Sequence, residues 1–147
     1  MKEAWISNQR AWRFLHPELD AGEGPSGLQL TPRGGVALAR GAACVRQSLL
    51  LLLSTVPGER VMRPEYGCDL FRVVFSPNDD TTAGLAIHYV RQAIARWEPR
   101  VKLLRVDAGR HPEVPELLEI RVEYRLRATG ERDAIALALD LSEGGTP

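Results

Sequence analysis

The stretch PGERVMRPEYGCDL, residues 57–70, is the part of the sequence around which the other elements can be placed. It directly follows a leucine-rich segment. Pro57 and Pro64 lack an amide donor and push the residue before them out of the helical region, while Gly58 and Gly67 permit turns that other residues resist. A helix cannot continue through this stretch, so we expect a rigid, sharply turned connector.

The charges of this connector alternate in sign, and apolar residues interrupt them. Alternating signs favour a network of ion pairs over a binding patch of one sign. Val61 and Tyr66 are expected to anchor the connector to the core. The charged residues are Glu59, Arg60, Arg63, Glu65 and Asp69.

Helical patterns lie on both sides of the connector. Before it, apolar residues recur at helical spacing from about residue 41 to 55, and Pro57 ends the segment. After it, residues 76–81 are rich in N-cap and acidic side chains, which favour the start of a helix. This second helix should run to about Trp97, because Pro99 prevents its continuation.

Strand patterns lie before the first helix and after the second. Residues 28–31 and 36–39 flank a Pro-Arg-Gly-Gly turn, which predicts a hairpin. Residues 101–107 are rich in β-formers, but their alternation slips after Leu103 and predicts a bulge. Strict alternation of apolar and charged residues over 118–127 predicts a long strand with one face on the core.

These patterns together predict an α+β fold, with two main helices packed on a small, mostly antiparallel sheet. We expect the domain to span residues 28–142. An N-terminal arm with a flexible Gly-rich tether, residues 1–27, precedes it, and a tail, residues 143–147, follows. The arm carries tryptophans that can fold back onto the domain's own core or dock on a neighbour, and the sequence favours neither alternative.

Composition excludes several classes of protein. The 147 residues suit one ordinary domain, and 19 basic residues balance 19 acidic ones. Nucleic-acid modules show a basic excess that this chain lacks, whereas a net charge of zero fits a subunit inside an assembly. Cys44 and Cys68 have no metal-ligand spacing and are expected to be reduced, partly buried thiols of a cytoplasmic protein. We expect no membrane insertion, since no apolar run is long enough and no signal peptide is recognisable.

A second motif, WEPRV at residues 97–101, follows the connector at a distance of about one helix and loop. The ordered pair resembles the small baseplate wedge protein of contractile phage tails and phage-tail-like injection systems. That family includes the "lysozyme-like" phage wedge subunit and the type VI secretion wedge subunit. The resemblance can be followed over residues 41–107 without a gap.

The resemblance implies a structural subunit of the inner baseplate. Its partners would be the larger wedge subunits, the spike or hub proteins and the sheath protein, whose assembly it would nucleate. Six copies per baseplate are implied, in a phage-tail-like particle that is assembled in the cytoplasm and can be released. We expect the charges of the connector and its Tyr66 to bind these neighbours.

The sequence Glu98-Pro99-Arg100 holds an acid and a guanidinium in one rigid corner. From the residues alone, a local ion pair at the end of the helix is the favoured interpretation. The resemblance implies instead a docking corner, in which Arg100 makes a two-pronged contact to the helical core bundle of the larger wedge subunits. We adopt the docking hypothesis on that ground.

The last predicted strand has an outward face of alanine, formed by Ala134, Ala136 and Ala138. A flat edge strand can accept a strand from another chain, and Asp133 and Asp140 guard only its ends. The resemblance implies a sheath strand as the partner. The alternative is that one of the protein's own helices covers the alanine face.

An enzyme is the second functional hypothesis, as a peptidoglycan-cleaving glycoside hydrolase. Glu59, Glu65 and Asp69 can supply the two carboxylates that such a reaction needs. Each has an arginine within a few residues, however, and a cation lowers a carboxyl pKa that a general acid needs raised. We therefore expect structural ion pairs and no enzymatic activity. Scattered histidines and the lack of a phosphate-binding loop predict no catalytic triad, metal or cofactor site.

Overall fold

The structure is a computed structural model that describes residues 10–15 and 27–142. The chain divides into two compact units, residues 1–50 and 51–147, which are described separately. Trp5, most of the predicted tether, His16 and the tail lie outside the described residues. The predicted boundary between arm and domain stays a prediction.

The described part of the first unit contains four short strands. They pair antiparallel in two small sheets, β1 with β4 and β2 with β3. The strands are β1 (Arg10–Trp12), β2 (Phe14–Leu15), β3 (Gly27–Leu28) and β4 (Leu38–Arg40). Residues 10–15 of the arm therefore fold back onto their own unit, which was one of the two alternatives.

The predicted hairpin is present between β3 and β4. The Thr31 N–H donates to the Gly35 carbonyl at 2.7 Å, and the Gly34 N–H donates to the Thr31 carbonyl at 2.9 Å. Leu30 and Val36 form a bridge across this turn. Beyond the bridge, each arm of the hairpin pairs with part of the segment 10–15.

Helix α1 spans Ala42–Ser54 and ends before Pro57, as predicted. Four residues of its apolar stripe are almost completely buried. They are Val45, Leu49, Leu52 and Leu53. Its Gln47 side chain donates to the Trp12 carbonyl at 2.7 Å and accepts from the Phe14 N–H at 2.9 Å, so one amide fixes the segment between β1 and β2.

The second unit contains a short 3₁₀ helix, Asp69–Val73, followed by helix α2, Asp80–Trp97. Asp79 is the N-cap of α2, because its carboxylate accepts the Thr82 N–H at 2.9 Å. This hydrogen bond lowers the pKa of Asp79. The predicted N-cap region and the end of the helix at Trp97 are both confirmed.

The described strands of this unit form one antiparallel sheet in the order β5-β6-β7. They are β5 (Val101–Arg110), β6 (Leu117–Leu126) and β7 (Arg132–Asp140). The register shifts between Leu103 and Arg105, which confirms the predicted bulge. Helix α2 packs mainly against β5, and also against the 3₁₀ helix and β6.

The core of the second unit lies on the α2 side of this sheet. Alternate residues of β6 are buried, beginning with Leu118 and Ile120, while the residues between them form the other face. The α+β class, with two helices and small antiparallel sheets, is confirmed. Within residues 10–15 and 27–142, none of the helices has the length and apolar character needed to cross a membrane.

Candidate functional site

The connector is a closed loop whose two ends meet. The Cys68 N–H donates to the Thr55 carbonyl at 2.9 Å, and the Gly58 N–H donates to the Pro64 carbonyl at 2.7 Å. Two backbone hydrogen bonds thus cross the loop at different levels. The expectation of a rigid, sharply turned connector is consistent with this geometry.

Gly67 allows the loop to close. Its φ is +143°, and a Cβ at this position would lie 2.5 Å from the Thr55 carbonyl oxygen and 2.8 Å from the Pro57 nitrogen. Both the backbone conformation and the close approach to the end of α1 require glycine here. The returning chain therefore packs directly on the chain that leaves the helix.

Val61 does not anchor the connector, and that prediction is wrong. The Arg63 N–H donates to the Arg60 carbonyl at 3.2 Å, so Val61 and Met62 occupy the two central positions of a tight turn. Their side chains are 94% and 92% exposed. Because the central residues of this turn lie at the far end of the loop, they point away from the rest of the unit.

Tyr66 does anchor the connector, as predicted. Its ring meets the Trp97 ring edge-on, with 5.4 Å between the centroids, at the end of α2. The Arg60 guanidinium lies over the Tyr66 ring, 4.4 Å from its centroid. Partial burial raises the pKa of Tyr66. The aromatic pair brings residues 57–70 and 97–101 together.

Each acidic residue of the connector bonds to a group that lies outside residues 57–70. Glu65 pairs with Arg96 of α2 at 2.8 Å, and Arg96 also lies 4.8 Å from the Trp97 ring centroid. Asp69 pairs with Arg72 at 3.6 Å. The Glu59 carboxylate accepts the Val56 N–H at 3.0 Å.

The Glu98-Pro99-Arg100 corner contains a bidentate ion pair. Arg100 Nε lies 2.5 Å from Glu98 Oε1, and Arg100 Nη2 lies 2.6 Å from Glu98 Oε2. The Glu98 side chain is only 5% exposed, while that of Arg100 is 24% exposed and that of Pro99 is exposed. The local pair that the residues alone favoured is therefore formed, and most of the Glu98 side chain is withdrawn from solvent.

The third candidate surface is the outer edge of β7. Ala134, Ala136 and Ala138 are all exposed, so the alternative in which one of the protein's own helices covers them is wrong. In the described part of the chain, β7 has a neighbouring strand only on its β6 side. The Ala134 N–H is accepted by Asp133 Oδ1 at 2.8 Å, so that end of the edge is guarded.

The backbone groups of Ala136 and Ala138 face the open side of β7. Leu141 donates its N–H to the Glu116 carbonyl on the β6 side. Since alternate residues of a strand direct their backbone groups to the same side, Leu139 and Leu137 also face β6. The alanines between them therefore direct N–H and C=O away from the sheet.

The two cysteines and His111 were also considered as candidates in the sequence, and the structure gives each a structural environment. Cys44 and Cys68 are both free and buried, as expected, and burial raises the pKa of Cys68 to about 11. His111 Nδ1 accepts backbone N–H groups two and three residues ahead, at the turn between β5 and β6. Among the described residues, no cluster of His, Cys, Asp or Glu side chains is arranged to hold a metal.

The region that contains this site matches a known family. Residues 39–131 match the family of baseplate wedge protein gp25. The match includes both sequence motifs, residues 57–70 and 97–101. The chain belongs to this family. The resemblance carried by the two motifs is thereby confirmed.

This family member is similar to the baseplate wedge protein gp25 of Enterobacteria phage T4. The two are 32% identical over 72 residues, which is 49% of this chain and 54% of the phage protein. The chain thus spans about half the length of this curated relative.

Two solved structures are similar to this wedge family member. The crystal structure of a candidate tail lysozyme from Geobacter sulfurreducens is 39% identical, with a TM-score of 0.63, and covers 69% of this chain and 91% of that chain. A chain in the cryo-EM structure of the anti-feeding prophage baseplate is 24% identical, with a TM-score of 0.62, covering 96% and 90%. The latter likeness concerns the fold alone.

Sequence reasoning missed three properties of this site: the contact of Trp97 with the connector, the burial of Glu98, and the display of Val61 and Met62. The first had a signal, since Trp97 belongs to the second motif. The burial of Glu98 was not visible in the residue types, and the exposure of Val61 and Met62 depends on the hydrogen bond that closes their turn.

Proposed function

We propose that this member of the baseplate wedge family is a non-enzymatic structural subunit in the baseplate of a contractile injection machine. The observation that carries the proposal is the joining of the two motifs in one corner. Tyr66 contacts Trp97, and Glu65 pairs with Arg96, so the connector and the end of α2 are held together. A rigid corner of this kind holds neighbouring subunits in register.

The proposed partners of the corner are the larger wedge subunits and, beyond them, the spike or hub proteins. The proposed contact surface consists of five connector side chains, all exposed except the half-buried Tyr66, together with Pro99 and Arg100. Glu98 acts as a positioning residue, because its buried carboxylate fixes the orientation of the Arg100 guanidinium. The connector members are Glu59, Arg60, Arg63, Glu65 and Tyr66.

Arg100→Lys tests the corner without removing its charge. Lysine still neutralises Glu98 but cannot reproduce the bidentate contact, so the isolated protein should stay folded with a somewhat lower melting temperature. Co-purification with the larger wedge subunits should fall by about tenfold, if the fork is the recognition element. Arg105→Lys is the matched control, since Arg105 also pairs with a carboxylate two residues away, Asp107, on the exposed side of β5.

A folded Arg100→Lys variant that co-purifies as well as the wild type would overturn the corner as a docking surface. An equal loss in Arg105→Lys would show instead that any surface arginine matters. Circular dichroism and thermal unfolding of each purified variant separate loss of contact from loss of structure.

We propose further that β7 accepts a strand from the sheath protein and so nucleates the sheath. The exposed edge at Ala136 and Ala138 supports this, because its outward backbone groups can pair with an added strand. Small side chains also leave that edge unobstructed. Ala134 contributes to the alanine face, although its N–H is accepted within the chain.

Ala136→Pro tests strand addition. Proline removes an N–H that faces the open side, so the β6–β7 ladder should survive, as for other edge-strand prolines. Sheath polymerisation on assembled baseplates should stop. Ala136→Val is the control, because it adds bulk but keeps the N–H. Normal sheath growth on Ala136→Pro baseplates would exclude this edge as the nucleation site.

The hydrolase alternative is kept because the Geobacter relative is described as a candidate tail lysozyme. The carboxylates that could serve are engaged: Glu65 and Asp69 with arginines, and Glu59 with a backbone N–H. We therefore expect purified protein to release no fragments from peptidoglycan. Release that disappears in Glu65→Gln would favour the hydrolase.

Assembly in the cytoplasm, six copies per baseplate and incorporation into a particle that can be released complete the proposal. Counting this subunit in purified particles by quantitative mass spectrometry, relative to the larger wedge subunits, tests the copy number.

A further inference from the structure

The far end of the connector exposes two adjacent apolar side chains. We define the connector tip as residues 60–63, in which Val61 and Met62 are flanked by Arg60 and Arg63. Both aliphatic side chains are more than nine-tenths exposed. Isolated exposed apolar residues are common on protein surfaces, but two adjacent ones at the end of a braced loop form a protruding contact point.

The loop holds the tip in place before any partner arrives. At its base, the Gly58 N–H donates to the Pro64 carbonyl, and the Tyr66 N–H donates to the Arg63 carbonyl at 3.1 Å. The ring of Tyr66 is in turn held against Trp97. A surface that is already ordered loses little conformational entropy on binding, so the apolar contact is available for affinity.

The charged side chains around the tip differ in whether they have a bonding partner. Glu59 accepts a backbone N–H and Glu65 pairs with Arg96, so the two acids nearest the tip are engaged. Arg60 lies over Tyr66. Within residues 10–15 and 27–142, no acidic side chain pairs with Arg63. The tip therefore combines two apolar side chains with a positive charge that has no counter-ion in the part of the chain that the structure describes.

We propose that the connector tip inserts Val61 and Met62 into an apolar groove of a different baseplate subunit, with a carboxylate on the rim of that groove facing Arg63. The unbranched methionine can adapt to an irregular groove, and an arginine at the edge of an apolar contact gives it orientation. The proposal rests on the proposed structural function and names a contact of that function that the Glu98–Arg100 corner does not provide.

Site-specific cross-linking locates the groove. The photoreactive amino acid p-benzoylphenylalanine is placed at position 62 of the full chain, and assembled baseplates are irradiated. The expected product is a peptide of a different baseplate subunit with apolar residues next to an acid. The matched control is position 104, where Leu104 is 41% exposed at the bulge of β5. Capture no greater than at position 104, or only of another copy of this chain, would overturn the proposal.

A double substitution measures the contribution of the apolar contact. Val61→Ser with Met62→Ser removes exposed side chains, so the melting temperature of the isolated protein should not change. The affinity for the captured subunit should fall by at least about tenfold, because truncated anchor residues dominate such contacts. Val114→Ser, at a residue 40% exposed in the turn before β6, should leave the affinity unchanged.

A charge reversal tests the rim. Arg63→Glu should weaken the complex with the cross-linked subunit. Replacing the acidic residue of that subunit's captured peptide by lysine should restore binding of the Arg63→Glu variant. If Arg100→Lys loses the larger wedge subunits while the tip variants assemble normally, the tip proposal fails and the structural function stands. If the corner variant and the tip variants all assemble normally, the connector tip and the Glu98–Arg100 corner both fail as docking surfaces.

Discussion

At the scale of single residues, Gly67 shows how one position controls the connector. Gly67→Ala should lower the free energy of unfolding by about 3 kcal/mol, because a Cβ would press on the Thr55 carbonyl and the Pro57 nitrogen and the backbone would be strained. Urea unfolding followed by circular dichroism measures this loss.

Gly58 provides the control for that prediction. Its φ is +101°, but a Cβ there would meet no atom within 4 Å. Gly58→Ala should therefore cost only the backbone strain, about 1–2 kcal/mol. Equal losses for the two variants would mean that the close approach at Gly67 contributes nothing.

Cys68 makes stability depend on alkaline pH. Burial raises its pKa from 9.0 to about 11, so the folded state keeps the thiol protonated when the unfolded chain has already lost the proton. Stability from this group is complete below pH 9 and is lost as pH rises from 9 towards 11, by about 1 kcal/mol between pH 8 and pH 10.

Comparing the wild type with Cys68→Ala isolates that effect. Unfolding free energies of both proteins are measured at pH 8 and pH 10. The wild type should lose more stability than the variant over this interval, since other groups titrate in both. Parallel losses would assign the pH dependence to groups such as Tyr66, whose pKa is also raised.

Individual residues are also where sequence reasoning reached its limit. Tyr66 was correctly predicted as an anchor, whereas Val61 was not, although both are apolar residues in the same loop. Which residue of a turn points outward depends on the hydrogen bond that closes it, here between Arg63 and Arg60.

At the scale of elements, the transition from α2 to β5 depends on the Glu98–Arg100 pair. Arg100→Ala should cost about 3 kcal/mol, because it leaves a carboxylate with 5% exposure without its bidentate partner. Replacing both residues by methionine should restore much of that loss. Thermal and urea unfolding of the single and double variants provide the comparison.

The corresponding change on the sheet surface is the reference. Arg105 and Asp107 also form an ion pair, but both side chains are more than half exposed. Arg105→Ala should change stability by less than about 1 kcal/mol. If both arginine variants were equally mild, the burial of Glu98 would not matter for the corner.

Elements with a regular pattern were predicted well. Helix α1, helix α2 and strand β6 each repeat their apolar residues over many positions, and the bulge of β5 was visible as a slip in alternation. Strands β1 and β2 were not foreseen, since elements of two or three residues are too short to show a period. Their pairing instead depends on the neighbouring hairpin and on Gln47.

At the scale of the whole molecule, the balanced charge affects behaviour outside an assembly. The sequence has a net charge of zero and an isoelectric point near 6.8. A protein without net charge has little electrostatic repulsion between copies. Solubility of the isolated protein should therefore be lowest near pH 6.8 and rise on both sides of it.

Static light scattering across pH 5 to 9 at constant ionic strength checks this prediction. A minimum near the isoelectric point would identify charge as the cause of self-association. A solubility that does not change with pH would indicate that apolar contacts dominate, and Val61→Ser with Met62→Ser would then be the variant to compare.

The loop that leaves the chain at Thr55 and returns at Cys68 begins and ends at nearly the same point, because the Cys68 N–H bonds to the Thr55 carbonyl. Loops with adjoining ends can be altered without redirecting the chain on either side. The connector is therefore suited to transplantation: a tip from a related machine, moved as a cassette with its two glycines, should confer that machine's choice of neighbour while leaving the host scaffold intact.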